Sequence, residues 1–141
     1  MSPESQRLIR ESWAALQPIG DQVVATFYER LFASSPEVAK LFHAEKMAEQ
    51  RRKFAAMLSE IVRVLDRPEL LVSEVAESGR RHVNYGVRER DYDDVGAALI
   101  WTLEHELKSE FTPELKAAWR EAYTLLAAVM RRAAEAMQSP R

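Results

Sequence analysis

Apolar side chains recur every three or four residues along nearly the whole chain, and no segment alternates apolar and polar residues as a half-buried strand does. The few glycines and prolines include several at the joints between periodic stretches, as at Pro18, Gly20 and Pro68. This pattern predicts an all-α fold of about seven to eight helices. We expect helices over residues 3–17, 20–34, 36–41, 46–66, 69–84, 91–109 and 113–137.

Three predicted helices begin with one signature, a hydroxyl residue followed by proline and glutamate. It occurs at Ser2-Pro3-Glu4, Ser35-Pro36-Glu37 and Thr112-Pro113-Glu114. The hydroxyl oxygen accepts a hydrogen bond from a free backbone N–H, proline has no N–H to leave unpaired, and the acid suits the helix dipole. We therefore expect each hydroxyl residue to be an N-cap. The irregular joints favour crossed packing over an up-and-down bundle.

Length and composition predict one domain over residues 1–141. The 141 residues are 47% apolar, which is enough for one substantial core. The chain has 20 lysines and arginines against 22 aspartates and glutamates, and the basic residues are dispersed in pairs and triplets. This balance gives no electrostatic footprint for nucleic acid, which we do not expect as a partner.

The absence of cysteine excludes disulfides, thiolate metal sites and thiol nucleophiles. Residues 1–13 carry charges throughout and no apolar run, so we expect neither a signal peptide nor a membrane span. A cytoplasmic protein is therefore expected.

One histidine falls on a helix face that is otherwise apolar or small. The spacing puts His82 on the same face as Leu71 and Val75, so it points inward. It is either a core histidine satisfied by one hydrogen bond or a haem ligand, because haem iron needs a single protein ligand and neutral imidazole is a common one. A structural zinc site would need three or four ligands, which are not available. His43 and His105 are expected to be solvated, so His82 is the predicted metal ligand.

The helix predicted over 46–66 carries an inward stripe with one polar member, Gln50. The apolar members are Phe54, Met57, Leu58, Ile61 and Leu65. A buried carboxamide without a partner costs about 1–3 kcal/mol, so Gln50 either has a partner or lies at the wet end of the stripe. It is thus either a residue near solvent at the helix start or a donor to a ligand on iron.

Two aromatic residues complete the pattern of a clamped planar ring. Tyr28 lies among apolar residues, and its hydroxyl needs an acceptor. Together with Gln50 it supplies two neutral donors for bound dioxygen. Phe42 follows a short helix and is placed to stack on the ring. Ordinary core filling is the alternative for both aromatic residues.

Several segments, in this order and spacing, resemble the globins, and most closely single-domain bacterial haemoglobins and the haem domain of flavohaemoglobins. They are Thr26-Phe27-Tyr28-Glu29-Arg30-Leu31-Phe32, Ser35-Pro36-Glu37-Val38 with Leu41-Phe42, Gly79-Arg80-Arg81-His82-Val83-Asn84-Tyr85-Gly86-Val87, and Thr112-Pro113-Glu114-Leu115-Lys116-Ala117-Ala118-Trp119 with Ala122-Tyr123. The similarity runs from Ile9 to about Met130. It implies a globin fold, with crossed helices around a haem pocket.

The resemblance assigns roles residue by residue, with haem b (iron protoporphyrin IX) as the implied cofactor. His82 matches the proximal iron ligand, Tyr28 the distal tyrosine and Gln50 the distal position that is histidine in many animal globins. Phe42 matches the aromatic residue that wedges the ring, and Phe54 the apolar residue beside the gas ligand.

Lys53 and Val87 are the other cofactor contacts that the resemblance implies, with Lys53 at a place where a cation often meets a haem propionate. One feature departs from the flavohaemoglobins, in which a tyrosine matching Tyr92 and a glutamate on the last helix buttress the proximal histidine. Here Ala134 stands at the matching position and Glu135 follows it. Because one residue rotates a side chain by about 100° around a helix, this offset predicts a weakened buttress.

The resemblance implies binding and transport of dioxygen, with carbon monoxide and nitric oxide as further ligands, at a five-coordinate iron. Nitric oxide dioxygenation is the alternative enzyme function. It is expected to need a separate reductase, because no flavin or nicotinamide domain follows residue 141. A sensor or interaction module with a globin fold is a third alternative. We expect a monomer or weak dimer.

Overall fold

The computed structural model describes residues 1–84 and 87–138, and the side chains of Arg80, His82, Val83, Asn84, Met137 and Gln138 lie outside the description. Seven α-helices are found in this described part of the chain. They are α1 (Pro3–Leu16), α2 (Gly20–Ser34), α3 (Pro36–Ala39), α4 (Met47–Arg63), α5 (Pro68–Asn84), α6 (Glu89–Leu107) and α7 (Pro113–Gln138). Short 3-10 turns span Gln17–Ile19, Ala44–Lys46 and Lys108–Glu110. The described residues contain no strand, and the all-α prediction is confirmed.

Helix α4 ends three residues earlier than predicted because another helix takes up its last carbonyl groups. Arg10 of α1 donates through Nε to the carbonyl of Val62 and through Nη2 to the carbonyl of Arg63, both at 3.3 Å. The last carbonyls of a helix have no intrahelical partner, so they need an outside donor. The same guanidinium pairs with Asp66 at 2.9 Å, which ties α1 to the turn after α4.

Helix α6 begins earlier than predicted because Asp91 caps it from inside the first turn. The Asp91 carboxylate is buried and accepts from the backbone N–H of Arg88 at 2.7 Å. The Arg88 guanidinium also pairs with Asp91 at 3.0 Å. This arrangement places the start of the helix at Glu89 rather than at Asp91.

Two of the three predicted hydroxyl caps are confirmed. Ser2 Oγ accepts from the backbone N–H of Ser5 at 3.1 Å, and Thr112 Oγ1 accepts from that of Leu115 at 3.2 Å. Ser35 is the N-cap residue of α3, as predicted, but its hydroxyl makes no cap bond and instead donates to Asp94 Oδ2 at 3.0 Å. Ser35 is buried, and its side chain is oriented toward the Asp94 carboxylate of α6 rather than toward the first backbone N–H groups of α3.

Consecutive helices pack on different partners. Helix α2 lies against α6 and α4, α5 lies against α7, and α1 contacts both α4 and α7. Helices α4 and α5 therefore follow each other in the chain but pack on different helices. Their side chains meet where Ser78 Oγ donates to Met57 Sδ at 3.7 Å. Across 1–84 and 87–138, no helix combines the length and apolar character that crossing a membrane requires.

Helices α5 and α7 approach each other closely enough to exclude a side chain. A Cβ added at Gly79 would lie 2.7 Å from both the Cα and the carbonyl oxygen of Met130. A Cβ at Gly96 would lie 2.6 Å from the Tyr123 ring, whose hydroxyl donates to the carbonyl of Tyr92 at 2.5 Å. These contacts fix α5 and α6 against α7.

Candidate functional site

An aromatic cluster surrounds Tyr28 on α2. Its ring centroid lies 4.9 Å from that of Phe27, 5.7 Å from those of Phe32 and Phe42, and 5.6 Å from that of Phe54. Phe27 and Phe54 stack at 4.6 Å with nearly parallel planes. The cluster therefore joins α2 to α4 and to the turn after α3, and it brings together three of the predicted site residues, Tyr28, Phe42 and Phe54.

Within this cluster Gln50 and Tyr28 form a direct hydrogen bond. Gln50 Nε2 donates to the Tyr28 hydroxyl oxygen at 3.0 Å. Tyr28 is buried and Gln50 half-buried, so the carboxamide has the partner that its place on the stripe demands. Since the tyrosine oxygen accepts this bond, its own proton is left to be donated to a different acceptor.

The surroundings of Tyr28 keep it in its neutral form. Burial raises the pKa of Tyr28 from its ordinary value of 10 to about 12, while the Gln50 hydrogen bond and the charge of Arg51 act weakly in the opposite direction. At neutral pH the side chain is therefore a phenol rather than a phenolate. It offers a polar O–H donor in surroundings made mainly of aromatic rings.

The aromatic cluster is one wall of the candidate site, and α5 is the second, meeting α4 where Ser78 contacts Met57. Val75 and Ser78 are buried and Leu71 is half-buried, which agrees with the inward face predicted for this helix. His82 follows Ser78 by four residues and its backbone belongs to α5, so it continues that face by helical periodicity. The His82 side chain lies outside the described residues, and its role as a metal ligand stays a prediction.

Large apolar residues near both walls are only partly buried. Phe42, Phe54, Met57, Leu71 and Val87 all pack against the core while keeping part of their surface uncovered. Buried large apolar side chains are the norm in a core, and incomplete burial of several from different elements is what an apolar ligand would complete. Their uncovered apolar surface is what a flat, mostly apolar cofactor could cover.

The remaining predicted site residues lie toward solvent. Lys53 is exposed and its Nζ lies 3.5 Å from Glu49 Oε1, an ion pair within one turn of α4. His43 and His105 are exposed, as predicted, and the His105 ring stacks on Trp101 at 4.9 Å. An exposed ion pair of this kind contributes little energy, so it holds Lys53 only loosely.

Sequence reasoning missed Arg131 of α7, which the structure places against the start of α6. Tyr92 is buried, and the guanidinium of Arg131 lies over its ring with 5.3 Å between Arg131 Cζ and the ring centroid. Glu135 is exposed and Ala134 is half-buried. The adjacent pair Arg131 and Arg132 gave no sign of which arginine faces inward. The available signal was the spacing of the apolar residues Ala127, Met130 and Ala133, which marks the buried face of α7.

Comparison with known proteins gives concordant results. The family model described as Globin matches residues 25–130. A flavohemoprotein of Bordetella pertussis is 30% identical over 129 residues, which cover 90% of this chain and 32% of the relative. A flavohemoprotein of Deinococcus radiodurans is 30% identical over 132 residues, covering 92% of this chain and 33% of the relative. The chain thus spans about a third of the length of the curated relatives it matches.

A solved structure matches over nearly the full chain. The bacterial globin from Campylobacter jejuni superposes with a TM-score of 0.86 and 27% sequence identity. The match covers 97% of this chain and 99% of that one.

Proposed function

This chain belongs to the globin family, whose model matches residues 25–130, and on that premise we propose that it binds haem b and holds dioxygen reversibly. The observation that carries the proposal is the hydrogen-bonded pair of Tyr28 and Gln50 set among aromatic rings. A neutral donor in such a site is useful to a small ligand that carries partial negative charge. Haem iron, when bound, supplies the coordination position at which a diatomic gas attaches.

Each predicted residue has a distinct role in the proposed site. His82 on α5 is the proposed proximal ligand, and Phe42 stacks on the ring from the side of the aromatic cluster. Phe54 shields the gas ligand, and Val87 covers the cofactor next to α6. Lys53 is the proposed partner of a propionate, reached by leaving its exposed pair with Glu49.

The hydrogen bond between Gln50 and Tyr28 divides the work of ligand binding between them. Gln50 donates to the tyrosine oxygen and so turns the phenol proton away from itself, toward the space where the ligand binds. Tyr28 then donates to dioxygen, and Gln50 acts mainly by orienting Tyr28. Carbon monoxide develops less charge than dioxygen and gains less from this donor, so the arrangement favours dioxygen.

The rate of oxygen dissociation from the reduced haem-loaded protein tests this account. Tyr28→Phe should accelerate dissociation by about tenfold, which corresponds to one hydrogen bond worth ~1.4 kcal/mol. Gln50→Leu should accelerate it less in the natural protein and not at all in the Tyr28→Phe background, because Gln50 acts through Tyr28. Stopped-flow mixing with an oxygen scavenger measures all four rates.

Tyr123→Phe is the matched control for that experiment. It removes a tyrosine hydroxyl that also makes a part-buried hydrogen bond, but one to the carbonyl of Tyr92 and not within the aromatic cluster. Its oxygen dissociation rate should equal that of the natural protein. An unchanged rate in Tyr28→Phe would remove Tyr28 from the mechanism, and an equal effect of Gln50→Leu in both backgrounds would make Gln50 an independent donor.

A second candidate function is nitric oxide dioxygenation with a separate reductase. It is supported by the flavohemoprotein relatives, whose name joins a flavin to a haem protein and which extend well beyond the span of this chain. Sustained consumption of nitric oxide over many turnovers with an added flavin reductase would support it. A single turnover that leaves the protein ferric and inactive would contradict it.

A further inference from the structure

Arg131 holds a positive charge in a defined place between α7 and the start of α6. Its Nη2 donates to Asp93 Oδ1 at 3.0 Å and to the carbonyl oxygen of Glu89 at 3.4 Å. Its guanidinium also covers one face of the buried Tyr92 ring. Three contacts on the first turns of α6 therefore fix the position of the charge, unlike that of a solvated surface arginine.

Holding Arg131 in this place leaves one of its polar atoms buried without a partner, which lowers the stability of the fold. Arg131 Nε is buried and has no hydrogen-bond partner. A buried donor without a partner loses its hydration and regains nothing, so such atoms are rare and need a reason. The paired anion compensates only in part, because the Asp93 side chain is 80% exposed and its charge is screened by water, whereas that of Arg131 is 30% exposed.

Arg131 lies on the turn of α7 that packs against α5, the helix that carries His82. Arg131 directly follows Met130, whose backbone is in contact with Gly79 of α5. His82 comes three residues after Gly79, a little less than one turn, or about 4.5 Å, further along α5. The Arg131 backbone is thus one residue from the place where α7 contacts the proximal helix, and its guanidinium is held on the neighbouring turns of α6.

We propose that Arg131 raises the reduction potential of the haem by fixing a positive charge on the first turns of α6, next to the place where α7 packs on the proximal helix. This inference rests on the proposed function, since it requires a haem ligated by His82. A nearby positive charge disfavours ferric iron, which carries one more positive charge than ferrous iron, and the effect is strengthened where rings rather than water surround the cation. The chain would thereby favour the ferrous form, which is the form that binds dioxygen.

The test is the midpoint potential of the haem-loaded protein, measured by spectroelectrochemical titration. Arg131→Met should lower the midpoint potential, and Arg131→Lys should restore most of the difference because it returns the charge to the same place. Arg132→Met is the matched control, because Arg132 is the adjacent residue of equal charge and is exposed. It should leave the potential within error of the natural protein.

Three further results decide the matter. Equal potentials in Arg131→Met, Arg132→Met and the natural protein would overturn the inference, as would a lowered potential that Arg131→Lys does not restore. Urea unfolding shows whether each variant folds. If Arg131→Met does not fold, Arg131→Gln replaces it in the comparison of potentials. Failure of the natural protein to take up haem would instead overturn the proposed function itself, whereas a haem-loaded variant with an unshifted potential overturns this inference alone.

Discussion

Helix α5 rests on α7 backbone against backbone, whereas α4 rests on α2 through the side chains of an aromatic cluster. On the first side, Gly79 lies where any Cβ would come within 2.7 Å of Met130. On the second side, Phe27 and Phe54 stack and Tyr28 bonds to Gln50. The two walls of one site are thus built by different means.

In the proposed function, this difference separates holding the cofactor from selecting its ligand. A wall fixed by backbone contact cannot shift without unpacking the helices, so it suits the residue that must keep its place. A wall made of side chains can change one functional group while the backbone stays, so it suits the adjustment of ligand affinity. Substitutions in the first wall should lower stability, and those in the second should alter ligand kinetics.

The strongest way to break this contrast is Gly79→Ala. The new methyl group would meet the Met130 backbone, which cannot rotate away as a side chain can, so the helices must separate. We expect the free energy of unfolding to fall by about 2–3 kcal/mol, the upper range for overpacking, even though alanine favours the helix. Urea denaturation measures the change.

Gly20→Ala is the control for that substitution. A Cβ at Gly20 has nothing within 4 Å, so this variant should be as stable as the natural protein or up to about 1 kcal/mol more stable. If both variants had the same stability, α5 would not be fixed by its contact with α7, and the contrast between the walls would fail.

A smaller expected effect, the pH dependence of oxygen dissociation, tests the wall made of side chains. The pKa of Tyr28 is raised from 10 to about 12, so its proton stays in place as the pH rises from neutral to 10. The oxygen dissociation rate should change by less than about twofold over that range. Acceleration with a midpoint below pH 10 would mean that Tyr28 ionises more easily than its burial allows.

The same shift carries a stability prediction. Because the folded-state pKa of Tyr28 is raised, its contribution to stability is fully present below pH 10 and is lost as the pH rises from 10 to 12. The natural protein should therefore lose stability over that interval faster than Tyr28→Phe does. Parallel urea titrations at several pH values measure both curves, and identical pH dependence in the two proteins would contradict the assignment.

Sequence periodicity predicted the helices because each buries one face of a regular repeat. It failed where a partner distant in sequence decided the outcome. Ser35 begins a sequence typical of a hydroxyl cap, yet its hydroxyl donates to Asp94. Helix α4 ends at Arg63 because Arg10, more than fifty residues earlier, takes its carbonyls. Local signals cannot report such competition, since both bonds depend on how the helices cross.

The sequence named residues that the structure brings together, among them Tyr28, Gln50 and Phe54, but it did not predict the bonds between them. Tyr28 and Gln50 were both expected to donate to the ligand, and their spacing gave no sign that one donates to the other. Arg131 was missed because a pair of adjacent arginines does not show which one is buried. Hydrogen-bond direction and the choice between neighbouring charges depend on tertiary packing, which periodicity does not contain.

The most direct test of the central claim is haem uptake by His82→Ala, compared with His105→Ala as a control. The apoproteins are mixed with haem and the absorption spectrum of each reduced product is recorded under anaerobic conditions. We expect His105→Ala to give the spectrum of the natural holoprotein, because His105 is exposed and stacks on Trp101. His82→Ala should lose the five-coordinate ferrous spectrum and most of its haem affinity, and an unaltered spectrum in that variant would contradict the account.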